Sequence, residues 1–150
     1  MTSFPDESID YRTHPEAYRI GRGETGVLTV EPYKSEILPH WRFKTPEEAA
    51  ASAAAILELY ETYKNSGDFV GMDMARKFLQ MGYTRSRRYA RHRSGRKYAD
   101  DGRELPEDPD PQKARSAEVF KAAWDHVRND DEYQQRKQAH QRLVAKSRKK

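Results

Sequence analysis

Residues 83–98 read Tyr-Thr-Arg-Ser-Arg-Arg-Tyr-Ala-Arg-His-Arg-Ser-Gly-Arg-Lys-Tyr, and the side chains in that run are those of an anion binder. Seven cations (Arg85, Arg87, Arg88, Arg91, Arg93, Arg96 and Lys97) are interleaved with Tyr83, Tyr89, Tyr98 and His92. Arginine's planar fork matches phosphate oxygens and stacks on bases, and tyrosine supplies a flat π face. If 84–93 is helical, a turn of about 100° per residue leaves Tyr83, Ser86 and Ala90 on one narrow stripe, and the arginines cover most of the remaining circumference. Such a helix has no wide apolar face to bury, so packing alone does not account for it. Two other uses of an arginine-rich run stand beside phosphate binding: a solvated face, or ion pairs with acidic segments of the same chain or a second copy. Residues 100–132 offer an acidic partner.

Other groups suggest chemistry less directly. His14 and His40 fall in a loop-rich region with Tyr33, Lys34, Glu36, Trp41 and Arg42, a set able to supply a general base and a cationic clamp. None of the five histidines has the spacing of a metal-binding motif, and neither a metal nor a cofactor is expected. Gly21, Gly23 and Gly26 match the letters of a dinucleotide fingerprint. The residues that follow, Val27-Leu28-Thr29-Val30, read as strand rather than helix, so a hairpin turn is the better account. Asp73 is an acid in an otherwise apolar helical stretch. A surface pair with Lys77 explains it most simply, and a buried pair with an arginine of the basic block is the alternative.

Charge along the chain is segregated. The 28 basic and 24 acidic residues give a net charge of only +4, yet the balance runs −1 over residues 1–44, −5 over 45–75, +9 over 76–99, −6 over 100–132 and +7 over 133–150. Opposite blocks can pair within the fold, or one basic face can stay free for a polyanion. At 150 residues with 35% hydrophobic content, the chain suits one modest core and not the ordering of every residue. The absence of cysteine excludes disulfides, thiolate catalysis and cysteine-ligated metals. No apolar run nears the roughly 20 residues of a membrane span, and the start of the chain does not read as a signal peptide. A soluble, cytoplasmic protein is expected.

The elements that must position the basic segment follow from periodicity and caps. Residues 1–15 read as a flexible N-terminal arm, 16–146 as a single domain and 147–150 as a frayed basic tail. Tyr18–Ile20, Val27–Val30 and 37–43 read as short strands, so a small antiparallel sheet over residues 18–43 is expected. Thr45-Pro46-Glu47-Glu48 is a capping box opening a helix with Ala49, Ala53, Ile56, Leu57 and Tyr60 on one face, closed by Ser66-Gly67. Asp68 caps a second helix through Phe69, Met72, Ala75, Phe78 and Leu79, which Gly82 ends or kinks and Thr84 can cap again through Arg85–His92, so helix is expected over 68–92. Three prolines and six acids make 99–111 a linker. Helices over 111–129 and 131–146 complete an α+β fold, the small sheet packed on about four helices.

Four strings carry a family resemblance: 18–24 (Tyr-Arg-Ile-Gly-Arg-Gly-Glu), 31–38 (Glu-Pro-Tyr-Lys-Ser-Glu-Ile-Leu), 41–46 (Trp-Arg-Phe-Lys-Thr-Pro) and 68–82, from Asp68 to Gly82. Together they resemble the domain-of-unknown-function family numbered 4385, over most of residues 10–135. The resemblance implies a small cytoplasmic protein of bacteria or tailed phages and carries over no activity or catalytic residue.

The residues themselves point first to non-catalytic, largely sequence-nonspecific nucleic-acid binding, to DNA or RNA. Arg85, Arg87, Arg88, Arg91, Arg93, Arg96 and Lys97 would meet phosphates, and Tyr89 and Tyr98 would stack. A cluster meeting about six phosphates would lose roughly a thousandfold in affinity between 50 and 200 mM salt. The alternatives are an enzyme for a phosphate-bearing or nucleic-acid substrate, using His14, His40, Lys34 or Glu36 beside the basic segment, and a module docking an acidic protein partner or a second copy of itself. No membrane partner is expected.

Overall fold

The computed structural model describes residues 4–21, 23–24, 26–92, 96–106 and 109–148, without the side chain of Arg148. Its architecture is helical: α1 (Tyr33–Ile37), α2 (Pro46–Asn65), α3 (Phe69–Arg91), α4 (Pro111–Arg128) and α5 (Asp131–Arg148), with 3-10 turns at Pro15–Ala17 and Leu38–His40. The expected α+β class is therefore corrected to all-α. Among the described residues there is no β-strand, only isolated bridges at Asp10↔Glu31 and Tyr98↔Glu104.

The missing sheet has a local cause. The Val27, Thr29 and Val30 amides are spent on turns, donating to Glu24, Gly26 and Gly26 carbonyls, so they cannot feed a ladder. Gly23 and Gly26 have φ of +57° and +83°, and Gly26 lies close against the Phe4 ring. Lys34 and Glu36 amides then bond back to Val30 and Pro32, which winds the next residues into α1. The Arg42 amide donates to Ser52 Oγ on α2 rather than to another strand. These amides are thus spent on turns and on α2 rather than on a ladder.

The capped helices match their sequence signals. Thr45 Oγ1 accepts from the Glu48 amide at 3.1 Å with Pro46 at N1, and Ala49, Ser52, Ala53, Ile56, Tyr60 and Tyr63 form the buried face of α2. Asp68 Oδ1 accepts from the Gly71 amide. Asp110 caps α4, and Asp130 Oδ1 accepts from the Glu132 amide at the start of α5.

α3 is the axis of the fold. Every residue from Phe69 to Leu79 is buried, so this half of the helix is enclosed all round. Gly82 does not end or kink it; the helix runs unbroken to Arg91. A Cβ at Gly82 would stand 2.6 Å from the Phe120 ring, so glycine lets α4 seat a fully buried phenylalanine directly on the α3 backbone.

Residues 4–15, read from sequence as an arm, contribute to the core. Tyr11 is fully buried, its ring edge-on to Phe4 and Tyr18, and its amide donates to Glu31 O. Residues 1–3, and 149–150 of the expected tail, lie outside the described residues.

The core is unusual in how many phenols it must satisfy. A buried hydroxyl needs a partner, and here carboxylates supply it. Tyr18 and Tyr133 donate to Asp73, Tyr33 to Asp68, Tyr63 to Glu36 and Tyr60 to Asp130, at 2.5–2.7 Å. Asp73 is fully buried and also accepts from Arg76 Nε and Nη2 at 3.0 and 2.8 Å. It is thus a buried ion pair rather than a surface one. Lys77 is fully buried beside it, its Nζ 4.8 Å from the centre of the Tyr18 ring. Burial would raise the Asp73 carboxyl, but Arg76, Lys77 and the two phenols together hold it below its ordinary pKa.

Candidate nucleic-acid interface

The basic segment occupies the exposed end of α3 and the chain just after it. The helix continues past Gly82 because its inward stripe is small enough to lie close to α4: Ser86 is fully buried and Ala90 nearly so, with Tyr83 half-buried beside them. The C-terminal carbonyls find partners, Arg88 O from the His92 amide and Ala90 O from the Asp110 amide. Around the remaining arc, Arg85, Arg88 and Arg91 are exposed and Arg87 is half-buried.

None of Arg85, Arg87, Arg88 and Arg91 makes an ion pair among the described residues. Several described acids of the stretch 100–132, the obvious internal partner, pair with other cations. Asp100 pairs with Arg96, Asp101 with Arg103, Asp125 with Lys121 and Arg128, Asp130 with Lys64, and Glu132 with Arg136. Asp110 is the α4 cap. Glu104 lines with Tyr83, Arg87, Arg88, Arg91, His92 and Lys97 a cavity of about 440 Å³, and Glu118 and Asp125 line with Tyr83 and Arg87 a second of about 350 Å³.

The other predicted contacts divide. Arg96 is exposed but held by Asp100. Lys97 is exposed with its Nζ 5.5 Å from the centre of the Tyr98 ring, and Tyr98 is 53% exposed, free to stack. Tyr89 is half-buried, its ring 6.1 Å from that of Phe43 with Lys113 Nζ at 5.8 Å. Arg93 lies outside the described residues.

Two further groups lie on this side, one named with the basic run and one not. His92 is 7% exposed and its Nδ1 has no partner among the described residues. Lys113, on α4, donates from Nζ to the Phe43 and Lys44 carbonyls at 2.8 and 2.9 Å, and burial lowers its pKa. His92 was visible as the histidine within the basic run. Nothing in the sequence places Lys113 next to residues 43 and 44, because that contact spans 70 positions.

The residues considered for catalysis are not joined. His14 is exposed with Nδ1 3.4 Å from Glu16, His40 is exposed at the end of a 3-10 turn, and Lys34 lies 3.8 Å from Glu31. Glu36 accepts both Arg12 Nη atoms and the Tyr63 hydroxyl, which together hold its pKa down against burial; Arg12 is the largest influence. Among the described residues no hydrogen bond or ion pair links any two of these four. A separate cavity of about 690 Å³ lies between the α2–α3 turn and α5, with His140 in its wall. Its arginines are already committed, Arg12 to Glu36 and Asp68 and Arg136 to Glu132. Among the described residues no group of three His, Asp or Glu side chains is placed to hold a metal, and no helix is long and apolar enough to cross a membrane.

The family described as Domain of unknown function (DUF4385) matches residues 2–143, nearly the whole chain. The protein belongs to this family. No curated protein and no solved structure matches the chain. Membership fixes descent and leaves function to the geometry of α3 and its surroundings.

Proposed function

We propose that this protein binds nucleic acid, DNA or RNA, through the arginine face of α3 and the segment up to Tyr98, largely without regard to sequence. The observation that carries the reading is the set Arg85, Arg87, Arg88 and Arg91, gathered on one arc of a fixed helix with no ion pair to any of them among the described residues. Cations in a last helical turn are favoured by the helix dipole, which accounts for Arg88 and Arg91 at a few tenths of a kcal/mol each. It does not account for Arg85, or for mutual repulsion among four neighbouring guanidinium groups. A polyphosphate chain relieves that repulsion, and counterion release then supplies the affinity. Phosphate contacts alone carry no base information, hence the weak sequence preference. A cytoplasmic location, where such ligands are plentiful, accords with this role.

The test is binding to single- and double-stranded DNA and RNA across a salt titration. Wild type is expected to bind at low salt and weaken steeply as salt rises. The Arg87→Ala/Arg88→Ala/Arg91→Ala variant, altered at two exposed positions and one half-buried one outside the core, should keep most of its stability and lose roughly two to three from the slope of log K against log salt. Absence of binding at low salt, or an unchanged slope in the variant, overturns the proposal.

A further inference from the structure

Beside the arginine face lies a cleft of about 720 Å³ whose wall joins α3 to the chain ahead of α2. Its lining includes Trp41, Phe43 and Tyr89 together with Arg42, Lys44 and Lys113. The three rings follow one another, Trp41 to Phe43 at 4.9 Å between centres and Phe43 to Tyr89 at 6.1 Å. Cations stand close to the rings: Lys113 Nζ is 5.0 Å from the centre of Phe43, and the Arg85 guanidinium is 5.9 Å from Trp41. The Trp41 indole N–H is buried and has no acceptor among the described residues. Among the described residues Glu48 is the single carboxylate in the lining.

We infer that this cleft is a base-stacking subsite, so that the ligand of the arginine face is single-stranded nucleic acid, with a base seated against Trp41, Phe43 and Tyr89 and its phosphates on Arg42, Lys44 and Arg85. The inference rests on the nucleic-acid reading of α3 and extends it to residues outside the basic run. Three observations converge. The volume falls in the range of sites that enclose a small organic group. The mixture of serial rings with flanking cations is what an unpaired base and its phosphate require, and each ring accepts any base. The cleft is continuous with the proposed interface, because Tyr89 lines it and Arg85, one turn earlier on α3, stands over the Trp41 ring. In a duplex the bases are stacked on one another and present no free face to these rings, so the subsite discriminates strand state.

The experiment uses the full chain carrying Trp124→Phe, which leaves Trp41 as the one indole, titrated at low salt with oligo-dT and with a duplex of equal length. Oligo-dT is expected to quench Trp41 emission and to bind more tightly than the duplex, which should leave emission unchanged. Phe43→Ala should weaken oligo-dT binding roughly five- to hundredfold and duplex binding little, the range given by loss of one stacked base. Because Phe43 also packs on the core, Arg42→Glu/Lys44→Glu provides a second variant at exposed positions, expected to show the same selective loss. If oligo-dT and duplex bind alike, with steady emission and no selective loss in either variant, the subsite is refuted and the arginine face stands. If neither ligand binds wild type at low salt, both readings fall together.

Discussion

Replacing Asp73 by asparagine tests the energetic account of the core. The carboxylate accepts two guanidinium N–H bonds from Arg76 and the hydroxyls of Tyr18 and Tyr133, all within 3.0 Å, and it is fully buried. Asparagine keeps the volume, removes the charge and turns one acceptor into a donor facing groups that are themselves donors. Arg76, 8% exposed, then lacks its ion pair, and Lys77 loses the carboxylate that raises its pKa. Breaking a buried pair from one side costs about 3–5 kcal/mol. A chain of this length has roughly 8–20 kcal/mol in total, so a large share of the stability is at stake. With an m value of about 2 kcal/mol per molar, the urea midpoint should fall by roughly 2 M. Burial pushes the Lys77 ammonium down to about 8, with Asp73 opposing and Arg76 assisting. The loss should therefore be smaller at pH 9.5 than at pH 7, since the lysine can then shed its proton. The double variant Asp73→Asn/Lys77→Met should be more stable at pH 7 than Asp73→Asn alone. A loss below about 1 kcal/mol at both pH values, or a double variant no more stable than the single, would refute the argument.

Wild-type stability should rise with pH from about 8, because the unfolded chain holds the lysine proton up to about 10.5 and the folded chain does not. It should turn down above about 10, where Tyr18, Tyr33, Tyr60, Tyr63 and Tyr133 ionise only on unfolding, their folded pKa values being raised chiefly by burial. Urea melts from pH 7 to 11 check this, and a steady decline from pH 7.5 contradicts it. Gly82→Ala should destabilise by about 1–3 kcal/mol despite alanine's better helix propensity, since its Cβ would press on the Phe120 ring. A higher thermal midpoint in that variant would show that Phe120 moves aside freely. Thr45→Ala should cost about 1 kcal/mol through loss of the α2 cap, read as a lower urea midpoint with unchanged m.

The helices were legible where short-range signals agreed. Thr45-Pro46, Asp68 and Asp110-Pro111 mark helix starts by local chemistry, and periodicity supplies the buried stripes. The turn region was not legible, because Val27–Val30 has the composition of a strand while its amides close turns that depend on left-handed glycines and on Pro32. Gly82 was misread for a related reason: as a break it is local, but its role is set by Phe120, which lies 38 positions later. The basic run was found directly. Whether its charges were answered could not be read from sequence, since an acidic block of the right size follows it; among the described residues Asp100 pairs with Arg96 of the run, while Asp101, Asp125, Asp130 and Glu132 pair with other cations.

The continuity of α3 has a consequence for how its two ends work together. At 23 residues it is a rod of about 35 Å, enclosed all round along one half and seated through a narrow buried stripe along the other. Its outward guanidinium groups are mounted on a backbone held at both ends before any ligand arrives. Association then forfeits little conformational freedom on the protein's side, and most of the entropy lost must come from the ligand.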